Sequence, residues 1–212
     1  MASGPERRSI GSGVEMSQRR KIGVDFDNTI ANYDEVFRFA ASKAGLLDRA
    51  FVGNKRQIRD AVRRLPNGEI SWQRLQGVVY GQLMPRARLF PGFLEFLAQC
   101  KDYGSEIFII SHKTEFGHAD SEKINLRTAA TIWMVKQGIF SAGDGYCSRE
   151  NVFFESTRAE KVRKIGELEC NDFIDDLEEV FLEPDFPIGT RRHLFAGDAA
   201  PLPTGPFTAY AS

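Results

Sequence analysis

Lys21-Ile22-Gly23-Val24-Asp25-Phe26-Asp27-Asn28-Thr29 reads as a short apolar strand that runs straight into two aspartates, two positions apart. A strand of this kind puts paired negative charge at the carboxyl edge of a sheet, where open α/β sheets bind their ligands. Desolvating two nearby carboxylates is costly, so a cation or a shared proton is expected between them. Downstream, Glu106–Ser111 reads as a buried strand ending in a hydroxyl, and Asn151–Phe154 as a short strand. Asp172-Phe173-Ile174-Asp175-Asp176 is another strand ending in carboxylates, and Arg192–Ala196 is a last strand. Helical patterns separate these strands, so the spacing predicts an α/β fold: a parallel sheet with helices on both faces.

The intervening helices carry their own signals. Val36, Phe37, Ala40, Ala41 and Ala44 form one apolar stripe that Gly45 stops. Residues 54–65 are strongly basic, with Lys55, Arg56, Arg59, Arg63 and Arg64 opposite Ile58, Ala61, Val62 and Leu65. Pro66-Asn67-Gly68 is a turn signal, and a further helix is expected over Ser71–Leu83. Pro91 opens the next helix and Gly104 closes it. Asp120 or Ser121 is expected to start a helix that Gly138 stops, and Thr157 with Glu160 has the spacing of a capping box. That box places Lys161 in a first helical turn. These readings divide the chain into an arm (1–20), a core (21–31 and 88–197), a helical insertion (32–87) and an extended tail (198–212) along the surface.

Composition narrows the function classes. Lys and Arg total 28 against 29 Asp and Glu, a formal net charge of −1, which gives no global argument for binding nucleic acid or a membrane. The 3 cysteines are widely spaced, without a metal-binding pattern, and read as reduced thiols of a cytoplasmic protein. No apolar run approaches the roughly 20 residues that span a bilayer. The basic, Gly- and Ser-containing start lacks the apolar stretch of a secretory signal. Nothing in the sequence speaks to oligomeric state.

The chemistry sits at strand ends. In a parallel sheet all carboxyl ends point to one edge, so Asp25, Asp27, Ser111, Lys161, Asp175 and Asp176 are expected to converge. Four carboxylates suit a hard divalent cation, and Mg²⁺ is the usual partner of phosphate. A lysine and a hydroxyl grip phosphate oxygens, and a carboxylate beside them can attack phosphorus. Taken singly these residues have plainer readings. Asp27 would be a turn residue, Asp176 a helix cap, Lys161 a solvated side chain, the run 55–64 a solvated helix face, and His112 and His118 loop residues without a role.

Order and spacing resemble the four signature motifs of the haloacid dehalogenase superfamily, over roughly residues 20–197. Asp25-Phe26-Asp27-Asn28-Thr29 looks like the first motif, Ser111 the second, Lys161 the third and Asp175-Asp176 the fourth. The resemblance implies a Rossmann-like core, with residues 32–87 as a small α-helical cap closing over the site. It implies that Asp25 attacks a phosphoryl group and forms an aspartyl-phosphate. Asp27 would protonate the leaving oxygen and then activate water, which needs a carboxyl pKa raised toward neutrality. Mg²⁺ would be held by Asp25, the backbone carbonyl of Asp27 and Asp175, with Asp176 binding it directly or through an intervening group, while Ser111 and Lys161 hold the phosphoryl oxygens.

Members acting on carbon–halogen bonds lack the second aspartate, so Asp27 favours a phosphatase or a phosphotransferase. Asn171–Pro187 resembles bacterial members of unassigned substrate that are often tied to surface-sugar pathways, which tilts the expectation toward a sugar or polyol phosphate. A nucleotide phosphatase and a non-catalytic phosphate-binding protein remain alternatives. A receiver-type signalling domain is disfavoured, because there the acidic pair and the phosphorylated aspartate come in a different order.

Overall fold

The computed structural model describes residues 19–117, 122–140, 146–197 and 201–211. The expectations placed on the arm up to residue 18, and on His118, Asp120 and Ser121, lie outside the described residues. Six strands form one sheet in the order β5-β4-β1-β6-β7-β8. These are β1 (Lys21–Val24), β4 (Glu106–His112), β5 (Val152–Glu155), β6 (Asp172–Asp175), β7 (Arg191–Gly197) and β8 (Thr208–Ala211). Every neighbouring pair in this sheet is parallel.

The chain leaves β1 toward β4 and β5, then crosses back to build β6, β7 and β8 on the other side. β1 is therefore the switch point where strand order reverses, and a crevice opens above its carboxyl end.

Alternation along the strands feeds two cores. Ile22, Val24, Ile107 and Ile109 face one side, with Leu97 and Cys100 of α4 (Phe93–Asp102) and Trp133 of α5 (Leu126–Lys136). Phe108, Ile110, Phe173 and Leu194 face the other, with Val162 and Ile165 of α6 (Arg158–Glu167) and Val180 and Phe181 of α7 (Glu178–Phe181). Gly23 is required where the sheet meets this second core: a Cβ there would lie 2.6 Å from Phe173 Cδ2.

Between β1 and α4 lies a helical block of α1 (Asp34–Lys43), α2 (Lys55–Arg63) and α3 (Gly68–Tyr80). The chain enters it through β2 (Ala31–Asn32) and returns through β3 (Arg88–Leu89), which pair antiparallel and clip the two passages together. Aromatic packing fixes the block: Phe37 stacks on Trp72 with centroids 4.9 Å apart, and Tyr33 meets Tyr80 edge-on at 5.0 Å. Among the described residues no helix is long and apolar enough to cross a membrane.

Several boundaries differ from the sequence expectations. Asn67 takes a left-handed conformation (φ 56°), so α3 begins at Gly68 rather than Ser71. α5 begins at Leu126 and is capped by Asn125, whose side chain accepts the Thr128 amide at 2.9 Å. The tail is more than a surface strap, because Thr208–Ala211 adds to the sheet edge beyond its last proline. Arg20, assigned to the arm, belongs to the core: its guanidinium reaches Asp172 at 2.6 and 2.8 Å.

Candidate active site

Asp25 follows β1 directly, and its amide bonds to Ile174 O at 2.9 Å, so the nucleophile candidate is pinned to the neighbouring strand β6. Asp175 ends β6, and its Oδ1 accepts the amide of Leu177 at 3.0 Å. Asp176 is not the side-chain cap of α7, because the residue at the cap position is Leu177, which makes no side-chain cap bond. Asp25, Asp175 and Asp176 bring one carboxylate oxygen each within 4.8 Å of the others.

Lys161 enters from the first turn of α6. Thr157 Oγ1 accepts the Glu160 amide at 3.1 Å, and Glu160 Oε2 accepts the Thr157 amide at 3.0 Å, so the expected capping box is in place. The Lys161 ammonium donates to Asp25 Oδ1 and Asp175 Oδ2, each at 2.6 Å, and is 1% exposed. Burial would pull its pKa down, but Asp175 and Asp25 outweigh that and hold it raised.

One ammonium among three carboxylates leaves an excess of buried negative charge. Burial is the main cause pushing Asp175 and Asp176 upward, and mutual repulsion with Asp25 adds to it. Lys161 and, for Asp176, Lys55 oppose the shift without cancelling it. Hard oxygen donors with uncompensated charge fit a hard divalent cation. Ser111, near the end of β4, supplies a second clue: its Oγ is buried and has no hydrogen-bond partner. A buried hydroxyl left unpaired costs free energy, so the site has a donor waiting for an acceptor.

Asp27 departs from expectation. Its carboxylate is turned to Lys113, which bonds Oδ1 at 3.0 Å and Oδ2 at 2.8 Å, and it accepts the Tyr33 hydroxyl at 2.7 Å. It is absent from the acidic cluster. Burial alone would raise its pKa, but Lys113 and Lys55, with the bonds from Lys113 and Tyr33, outweigh that and hold it below the usual carboxylate range. The expected upward shift is therefore not found. Lys113, with its side chain only 2% exposed, lies two residues beyond Ser111, and that spacing puts both on the same side of the chain. Tyr33 and Tyr80 carry no signal of this role in the sequence, because buried aromatic residues ordinarily belong to the core.

The insertion supplies further groups. Lys55 lies over the Tyr80 ring at 5.5 Å, and its charge acts on both Asp27 and Asp176. A cleft of about 360 Å³ is lined by Asp25, Asp27, Ser111, Lys113 and Lys161 from the core and by Lys55, Gln73, Gln76 and Tyr80 from the insertion. Much of the basic run is spent at the surface, where Arg59 pairs with Asp60 at 2.9 Å and Arg63 with Glu69 at 2.7 Å. His112 bonds Ser156 O at 3.1 Å, and burial lowers its pKa.

No protein-family model and no curated protein sequence matches the chain. Solved structures do. A haloacid dehalogenase-like hydrolase from Bacteroides fragilis superposes with a TM-score of 0.55 at 15% identity, covering 92% of this chain and 97% of that one. A haloacid dehalogenase-like family hydrolase from Streptococcus pneumoniae gives 0.54 at 13%, covering 84% of each chain. A superfamily hydrolase of subfamily IA from Geobacter sulfurreducens gives 0.52 at 15%, covering 87% of this chain and 89% of that one. The likeness is one of architecture: this chain has the α/β fold of the haloacid dehalogenase-like hydrolases.

Proposed function

We propose that the protein is a Mg²⁺-dependent phosphomonoester hydrolase that works through an aspartyl-phosphate on Asp25. The observation that carries this reading is the meeting of Asp25, Asp176, Lys161 and the unpartnered Ser111 hydroxyl in one cleft at the carboxyl edge of β1, with Asp175 buried beside Asp25 and Asp176. Asp25, Asp175 and Asp176 would hold the Mg²⁺, which when bound neutralises charge on the phosphoryl oxygens. Ser111 Oγ donates to a phosphoryl oxygen, and Lys161 supplies positive charge beside Asp25. The Asp25 carboxylate attacks phosphorus; the new O–P bond forms as the bond to the leaving oxygen breaks, and that oxygen keeps the electron pair and takes up a proton from solvent water. In the second half, water attacks the phosphoryl group and returns the electron pair to Asp25.

Asp27, whose pKa is lowered below the usual carboxylate range, is suited to accept the proton of that water rather than to start the cycle as an acid. The insertion acts as a cap whose groups meet the rest of the substrate. Gln73 and Gln76 from α3 offer amides to hydroxyls, which favours a sugar or polyol phosphate. The three cysteines are buried and unbridged, which suits a reducing compartment such as the cytoplasm.

Asp25→Asn should abolish Mg²⁺-dependent phosphate release from p-nitrophenyl phosphate. Undiminished release by that variant would remove Asp25 as the nucleophile. If the intermediate passes instead to an added alcohol, phosphorylated alcohol will appear among the products, and the protein is a phosphotransferase.

A further inference from the structure

We propose that Lys113 and Tyr33 are positioning residues that clamp Asp27 for the hydrolytic half of the reaction, fixing its carboxylate as the acceptor of the water proton. The inference rests on the phosphatase reading above and assigns work to two residues which that reading does not require. Lys113 covers both oxygens of Asp27, at 3.0 and 2.8 Å, and Tyr33 adds a donor to Oδ1 at 2.7 Å. A carboxylate held by donors on both oxygens has little freedom to rotate, and Asp27 lines the same cleft as Asp25 and Ser111.

The donors are themselves held. The Lys113 ammonium lies 4.6 Å from the Tyr80 ring centroid and 5.5 Å from that of Phe26, and its amide bonds Glu155 O at 2.9 Å. The Lys113 carbonyl accepts from Arg127 Nε at 2.9 Å. Tyr33 is fully buried, and its ring packs edge-on against Phe37 and Tyr80. A base orients water only if its own orientation is fixed, and small misplacements are expensive in rate. Lys113 comes from the loop after β4, whereas Tyr33 and Tyr80 belong to the helical insertion. The clamp therefore closes only when core and insertion are docked.

During hydrolysis the water oxygen bonds to phosphorus, the bond between phosphorus and Asp25 breaks, and the water proton passes to Asp27. Formation of the intermediate from a substrate with a good leaving group needs no proton from Asp27. Loosening Asp27 should therefore slow breakdown of the intermediate much more than its formation.

The test is pre-steady-state release of nitrophenolate from p-nitrophenyl phosphate in Mg²⁺, by the full chain and by Lys113→Met and Tyr33→Phe. Lys113→Met should show a burst approaching one nitrophenolate per chain. Its steady-state kcat should fall at least tenfold and its KM fall in parallel, so that kcat/KM drops far less. Tyr33→Phe, which loses only a hydroxyl, should show the same pattern more weakly. It remains informative if Lys113→Met fails to fold. In an Asp27→Asn background, Lys113→Met should add little to the loss, because the group it positions is gone. Equal falls in kcat and kcat/KM without a burst, or an undiminished Lys113→Met effect in the Asp27→Asn background, would overturn the proposal. An unmutated chain that releases no nitrophenolate at all would instead overturn the phosphatase reading.

Discussion

Ser111 separates the needs of the fold from those of the chemistry. Its hydroxyl is 1% exposed and unpaired, so the folded protein bears a desolvation cost with no bond in return. Ser111→Ala should leave stability unchanged or raise it by about 1 kcal/mol, because it removes an unsatisfied group at almost constant volume. The same substitution should weaken inhibition by inorganic phosphate about tenfold, the equivalent of about 1.4 kcal/mol for one lost hydrogen bond. Urea unfolding and a phosphate inhibition curve check the two halves. A large loss of stability with unchanged phosphate affinity would assign the hydroxyl to the fold. Asp172 is the opposite case: it is buried yet fully paired, with Arg20, Arg191 and His193 all on its carboxylate. Burial would raise its pKa, but those partners outweigh it and bring it to about 2. Asp172, at the start of β6, is thus a structural aspartate, whereas the unpaired Ser111 hydroxyl is a candidate functional group.

At the scale of elements, helix α6 shows how local sequence rules place a charge. Its capping box satisfies both the Thr157 and Glu160 amides, and the Lys161 amide bonds Thr157 O at 3.1 Å within that first turn. Thr157→Ala should cost about 1 kcal/mol, seen as a lower urea midpoint with unchanged slope. It should also raise KM for a phosphomonoester, because the first turn that carries Lys161 would fray. A lower midpoint with unaltered KM would show that the bonds to Asp25 and Asp175 suffice to hold Lys161. This element was legible because a capping box is a fixed local spacing. Other elements were not, for equally local reasons. Pro66-Asn67-Gly68 reads as a turn, but its last residue is already the first of α3. A Cβ at Gly68 would stand 2.4 Å from Val62 O, so the glycine lets helix and preceding turn touch. Thr208–Ala211 follows three prolines, and the prolines masked a short edge strand that begins only after them. The strand-end residues Asp25, Ser111 and Asp175 could be foreseen to converge, because parallel strands force it. Lys113 and Tyr33 could not, since their meeting depends on how the insertion packs on the core.

For the whole molecule, the parallel sheet gathers three acids around one ammonium, and this sets how stability should vary with pH and metal. Asp175 and Asp176 have folded pKa values above the ordinary 3.8. The folded state therefore holds those protons more tightly than the unfolded chain does. Their contribution to stability is fully present below the unfolded value and is lost as pH rises through the raised folded values. Without divalent metal, the thermal midpoint should consequently fall as pH increases from about 5 to about 8, apart from the effects of other groups. Mg²⁺ at the three carboxylates replaces the missing positive charge and binds only the folded arrangement. At a hundred times its dissociation constant it should add about 2.7 kcal/mol, the ordinary linkage value. The gain at a fixed Mg²⁺ concentration should be larger near pH 8 than near pH 5, because at lower pH the cation competes with protons. Asp176→Asn should flatten the metal-free pH dependence and lose most of the Mg²⁺ shift, since it removes one acid from the crowded set and one oxygen donor from the cation. Thermal melts across this pH range, with Mg²⁺ or with a chelator, measure each of these. A metal-free midpoint that climbs with pH in parent and Asp176→Asn alike, or a Mg²⁺ shift equal at both ends of the range, would mean that the acidic cluster does not carry the uncompensated charge on which the metal site depends.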